Sequence, residues 1–225
     1  MSQQSNQWDF DRFLKTLTYF RAVPLLGDMD WFAQWFGNKT AAPASLASPY
    51  PCLDFRQPTE DLATRWGALD DVVMGGVSQS GIRWSEGAAW FSGTVSTANS
   101  GGFASIRTRN FDPPLNWAGF AGVKLRVRGE GQRYKFMLRS DPGWDSVAYS
   151  YSFDTEAETW IDVSIPFTRF IPVSRARTLE NAAPLNLSHI CALQLMLSKF
   201  EYDGQLNPKF VAGSFQLAIE YIQPY

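Results

Sequence analysis

Beyond about residue 122, apolar and polar side chains alternate with a period of two. In SVAYSYSF, residues 146–153, Val147, Tyr149, Tyr151 and Phe153 alternate with Ser and Ala. In TWIDVSIP, residues 159–166, Ile161, Val163 and Ile165 share one parity, Asp162 and Ser164 the other, and Pro166 ends the run. SFQLAIEY, residues 214–221, sets Phe215, Leu217, Ile219 and Tyr221 on one face, with Gln216 and Glu220 on the other. HICALQLML and GVKLRVRG follow the same rule. Successive side chains of a strand point to opposite faces, so each run predicts a half-buried strand. Turn residues at Gly129–Gly131, Asp141–Gly143 and Tyr202–Gly204 separate the runs by intervals too short for crossover helices. The expectation is an all-β, antiparallel β-sandwich.

The N-terminal zone has a different period. Phe10, Phe13, Leu14, Leu17 and Phe20 recur at helical spacing, with Asp9 and Asp11 at the start, where they suit the helix dipole. Pro24 breaks the pattern, and Gly27 with Asp28 predicts a turn. A second stripe, Trp31, Phe32, Trp35 and Phe36, leads to a C-cap at Gly37. NKTAAPASLASPYP, residues 38–51, is too poor in large apolar side chains to order itself. Three zones result: a short helical, aromatic-rich extension over 1–37, an Ala/Ser/Pro linker over 38–52, and a β-sandwich domain over 53–225.

Composition narrows the class further. The 225 residues carry a formal charge of -2, which exerts no general pull toward DNA, RNA or acidic lipid. Cys52 and Cys191 are the only cysteines, too few for a disulfide scaffold, and Cys191 sits in an apolar run. The start, MSQQSNQWDF, lacks the pattern of a signal peptide, and no eighteen-residue apolar run occurs. A cytoplasmic protein is expected.

Candidate chemistry is sparse. The single histidine, His189, shares the parity of Cys191, Leu193, Leu195 and Leu197 and reads as a residue at the rim of the core. A buried thiol beside it makes a poor nucleophile. Asp70 and Asp71, in DDVVMGGVSQ, have no spaced acidic loop to complete a calcium site. They read as turn residues. Gly75 and Gly76 lack the following helix and lysine of a phosphate loop. No catalytic residue, cofactor or metal is expected.

The surface readings are more definite. Lys124, Arg126 and Arg128 alternate with Val123, Leu125 and Val127, and Arg133, Lys135 and Arg139 extend the positive bias onto the expected neighbouring strand. Arg107 and Arg109 add two more cations. A basic face of this kind would suit RNA phosphates or an acidic protein. In the extension, Phe13, Leu17, Phe20, Trp31 and Trp35 form a candidate anchor for a protein groove or a membrane interface. Trp144, in SDPGWDS, is the one loop aromatic placed to stack on a sugar.

At this point the residues resemble a known family. DDVVMGGVSQS, WFSGTVSTANSGGFASIRT, GVKLRVRGEGQRYKFMLRS and TWIDVSIPFTRFIP occur in the order seen in the complex I intermediate-associated protein 30 family. The resemblance spans roughly residues 54–223 and rests most on the pairing of Met74–Ser78 with Gly101–Ser105. It implies a galactose-binding-like jelly roll and a role as an assembly factor rather than an enzyme. A chloroplast relative joins a similar domain to a dehydrogenase-like one and supports photosystem subunit synthesis through its messenger RNA. This chain lacks the glycine fingerprint of that second domain and a basic presequence, which favours a bacterial, cyanobacterial-type form.

The expected function is therefore assembly of a membrane energy-converting complex, respiratory or photosynthetic, by contact with its subunits or intermediates. The work would be done in the cytoplasm or peripherally on the cytosolic face of a thylakoid or plasma membrane. Asp70, Asp71, Met74, Gly75, Gly76 and Ser78 would form one contact patch with Gly101, Gly102 and Phe103. An RNA-binding module and a carbohydrate-binding module are the rival readings.

Overall fold

The computed structural model describes residues 9–20, 52–57 and 61–225. The second aromatic stripe, including Trp31 and Trp35, and the segment 38–51 lie outside the described residues. Helix α1 spans Phe10–Tyr19, and the Asp9 side chain caps it by accepting from the Arg12 amide at 3.0 Å. A short helix α2, Leu62–Arg65, follows strand β1, Leu53–Asp54.

Twelve further strands complete the domain: β2 Trp66–Ala68, β3 Gln79–Ser85, β4 Ala88–Val95, β5 Phe103–Thr108, β6 Gly122–Arg128, β7 Arg133–Arg139, β8 Ala148–Asp154, β9 Trp160–Pro166, β10 Ile171–Ser174, β11 Arg177–Thr178, β12 Ala192–Ser198 and β13 Gly213–Pro224. They pair antiparallel into two sheets. The first has the order β3-β4-β13-β6-β9, with β1 added on β13. The second runs β11-β10-β8-β7-β12-β5-β2. The chain changes sheet between β5 and β6 and again between β6 and β7, as a jelly roll requires.

The alternating pattern dictates which face is buried. Val123, Leu125 and Val127 of β6 meet Tyr134, Phe136 and Leu138 of β7 and Leu193, Leu195 and Leu197 of β12 in one continuous core. Each such side chain, fully buried, contributes about 1.5–3 kcal/mol. Strand β13 departs from the simple alternation. A register shift between Ile219 and Tyr221 turns Ile222 inward and Tyr221 outward, where its hydroxyl donates to Asp162 at 2.8 Å. The bulge inserts one residue and so reverses the parity beyond it.

The expected basic face divides in two. Strand β6 lies in the first sheet and β7 in the second, so Lys124, Arg126 and Arg128 point out of one side of the sandwich and Arg133 and Lys135 out of the other. Several of these cations are also engaged internally. Arg126 pairs with Asp162 at 3.2 Å, Arg133 pairs with Asp154 at 2.6 Å, and Arg128 lies over the rings of Trp90 and Trp160. Lys135 is buried and donates to the carbonyls of Phe200 and Glu201 at 2.6 and 2.9 Å. Adjacent runs in sequence were expected to pair with each other; closure of the sandwich assigns them to opposite layers.

Candidate functional site

The segment DDVVMGGVSQ forms a corner between the sheets. Asp71–Met74 make one 3-10 turn, closed by Gly75 at φ 89, a left-handed backbone that favours glycine. Both aspartates turn inward, with 1% and 0% exposure. Asp71 accepts from the Ser78 amide and hydroxyl at 2.9 and 2.6 Å, from the Gly102 amide at 2.7 Å and from the Phe103 amide at 3.3 Å. Asp70 accepts from the Ser80 amide and hydroxyl at 2.9 and 2.5 Å, the Ser105 amide at 3.0 Å and Arg12 at 3.1 Å. Adjacent carboxylates thereby tie β3 of one sheet to β5 of the other. Burial pushes the Asp70 carboxyl up to about 6, against the pull of its hydrogen-bond donors and of Arg12.

This geometry corrects part of the expected contact patch. Asp70, Asp71, Gly76, Ser78, Gly101 and Gly102 are buried, so the acids and Ser78 are spent on the corner's own hydrogen bonds and the glycines on its close packing. Met74 does the opposite. It protrudes at 71% exposure, and Phe103 is partly exposed nearby.

Beside the corner opens a cleft of about 540 Å³ on the outer face of the second sheet. Asp71, Met74 and Gly101–Phe103 form one wall. The floor comes from outward positions of β7 and β12: Lys135, Met137 and Arg139 beside Gln194, Met196 and Ser198. Val173 and the loop Lys199–Tyr202 close the far side. Three of the five methionines of the chain, Met74, Met137 and Met196, line this one cleft. Methionine is flexible and polarizable, and surfaces rich in it adapt to apolar partners. Sequence reasoning passed over Met137, Gln194 and Met196. Their signal was parity: they occupy outward positions of half-buried strands where charged side chains are usual.

The remaining candidates are placed as follows. The thiol of Cys191 lies 3.3 Å from His189 Nδ1, and burial raises its pKa, which works against a thiolate. His189 itself is exposed, one residue ahead of the buried Ile190 and outside β12, which begins at Ala192. Both cysteines are free. Among the described residues no group of His, Cys, Asp and Glu is arranged to hold a metal, and no helix is long and apolar enough to cross a membrane.

Trp144, nominated for sugar stacking, packs against Phe20 of the extension at 5.5 Å. Helix α1 docks through Arg12, Thr16 and Tyr19 as well as this Phe20 contact. Thr16 is buried, and the Tyr19 hydroxyl donates to Ala63 and Thr64 carbonyls at 3.3 Å. Phe13 and Leu17 are half-buried, while Phe10 and Leu14 stay largely exposed.

The fold defines this protein as a jelly-roll β-sandwich of the galactose-binding-like type. Among solved structures it is similar to the Family 11 carbohydrate-binding module of a cellulosomal cellulase from Clostridium thermocellum, with a TM-score of 0.55 and 16% identity over 79% of this chain and 95% of that one. At that identity the likeness concerns the fold alone. Residues 53–219 match the family model described as Complex I intermediate-associated protein 30, and the chain belongs to that family.

Relatives bear this out. An uncharacterized protein of Schizosaccharomyces pombe is 30% identical over 75% of this chain and 81% of its own. The mitochondrial Complex I intermediate-associated protein 30 of Mus musculus is 28% identical over 72% of this chain, and its probable counterpart in Caenorhabditis elegans is 26% identical over 77%. The match spans only 52% and 54% of the length of these last two proteins.

Proposed function

We propose that this protein is a non-catalytic assembly factor for a membrane energy-converting complex of the complex I type, holding an incomplete intermediate by protein–protein contact. The observation that carries this reading is the methionine-lined cleft, walled by the two segments on which the family resemblance rests most. Family membership supports it, as do relatives named for association with complex I intermediates. The acting surface would be the cleft rim, with Met74, Phe103 and Phe200 as the apolar contacts. Helix α1 would serve as a secondary contact beside the corner. We place the action peripherally on the membrane that holds the client. The complex I relatives direct the choice of client toward complex I rather than a photosystem.

The RNA reading loses its motivation with the division of the basic face. The carbohydrate reading loses its stacking platform, because Phe20 covers part of Trp144. The decisive experiment is a chromosomal deletion followed by native separation of membrane complexes. The expected result is loss of the mature complex with accumulation of a partial one, restored by the intact gene. Normal assembly in the deletion strain would overturn the proposal.

A further inference from the structure

Arg139, partly buried, lines one end of the cleft floor, and Arg107 lies buried two strands across the same sheet; neither has a carboxylate partner among the described residues. Arg107 of β5 is 2% exposed and pairs across Gln194 of β12 with the β7 row. Among the described residues its guanidinium donates to the Trp144 carbonyl and the Asn110 amide oxygen, at 3.2 and 3.3 Å, and lies over the rings of Phe20 and Trp144. Arg139 of β7 lines the cleft and donates to the Ser146 carbonyl and hydroxyl, the latter at 3.4 Å, and to Gln194 Oε1 at 3.4 Å. All these acceptors are neutral. The Nε atoms of both arginines are buried and have no hydrogen-bond partner among the described residues.

Several other cations are matched by carboxylates, as Arg12 is by Asp70, Arg133 by Asp154 and Arg175 by Asp145. Neither Arg107 nor Arg139 has an ion pair among the described residues. Burial, and secondarily the charge of Arg139, pushes Arg107 down to about 9. Asp145, the acidic group acting on Arg139 from a distance, is itself taken by Arg175. Buried charge is ordinarily paired, and two like charges in low dielectric oppose each other. Among the described residues Arg139 has no anion of its own, although it lines the cleft.

We infer that the cleft receives an apolar peptide segment of a partner protein that carries a carboxylate, with the carboxylate seated at Arg139 and the apolar side chains against Met137, Met196 and Met74. This rests on the reading of the cleft as the partner-contact site and deepens it. A planar guanidinium suits a carboxylate in two-point contact. The methionines on either side accept side chains of varied shape. A peptide is favoured over a small free anion because apolar wall makes up most of the cleft lining beyond the cationic end.

The test is fluorescence anisotropy with labelled peptides, acetylated and amidated, made of leucine and alanine around one central glutamate. A second peptide has glutamine at that place. On the unaltered full chain, the glutamate peptide should bind about tenfold more tightly than the glutamine peptide, the scale of one charge-assisted hydrogen bond. Arg139→Gln should abolish the preference, and Arg139→Lys should retain part of it. Equal affinity for the two peptides, or no binding of either, overturns the inference. So does complete displacement by inorganic phosphate, which would mark a free-anion site. If Arg139→Gln does not fold, the peptide pair on the unaltered protein decides alone. Disrupted complexes in the deletion strain together with no glutamate preference would discard this inference and leave the assembly role. Normal complexes together with a clear preference would do the reverse.

Discussion

Asp71 Oδ2 accepts a 2.7 Å hydrogen bond from the Gly102 amide, joining two segments 31 positions apart in the sequence. That bond belongs to a set in which one buried carboxylate satisfies four donors from β5 and the corner loop. A carboxylate accepting amide hydrogen bonds out of water is among the stronger polar contacts in a fold. The relationship explains why the two glycine-containing motifs act together: each supplies donors that the other segment, or its acid, must meet.

Asp71→Asn should lower stability by about 2–4 kcal/mol, because an amide supplies one acceptor oxygen and leaves buried donors unmet. Urea unfolding would report it as a lower midpoint with an unchanged slope. A loss below about 0.5 kcal/mol would contradict the arrangement.

The glycines of the corner should differ sharply from one another. A Cβ on Gly76 would fall 2.3 Å from Asp71 Cγ, and one on Gly101 would fall 2.4 Å from Asp71 Oδ2. Alanine at either position should cost more than about 2 kcal/mol or prevent folding, since the carboxylate cannot move without losing its donors. At Gly75 a Cβ meets nothing within 4 Å, and only the positive φ of 89 resists it. Gly75→Ala should cost about 1–2 kcal/mol. Thermal unfolding of the three variants checks the order.

Asp70 should leave a signature in the pH profile. Its carboxyl titrates at about 6 in the folded chain, raised by burial, against about 3.9 when unfolded. Between these values the folded state holds the extra proton, so the stability tied to this group is full below about pH 4. It is lost as pH rises through about 6. The advantage of the unaltered protein over Asp70→Asn should shrink by roughly 2–3 kcal/mol from pH 4 to pH 7. Unfolding curves at several pH values measure this, and an advantage that grows with pH would refute the assignment.

Arg12 ties helix α1 to the corner through Asp70 at 3.1 Å and the Ser78 carbonyl at 3.0 Å. Arg12→Ala should release the helix while the strands keep their protection. Amide hydrogen exchange over Phe10–Tyr19 should quicken on the order of tenfold, with β7 and β12 unchanged. The same variant should raise the Asp70 pKa further, because Arg12 is one of the groups holding it down.

The sequence by itself determined the longer strands, helix α1 and most of the inward rows, since burying one face of a pleated strand leaves a period-two record in residue type. Leu193, Leu195 and Leu197 were legible as core for that reason, as was α1 from its helical spacing. Only the tertiary structure decided which strands share a sheet, because hydrogen-bond pairing depends on closure and leaves no local mark. That is how β6 and β7 came to lie in opposite layers. It also decided that Asp70 and Asp71 look inward and that Met74, Met137 and Met196 converge. Their meeting depends on packing between segments far apart in the chain, and no spacing within one segment encodes it.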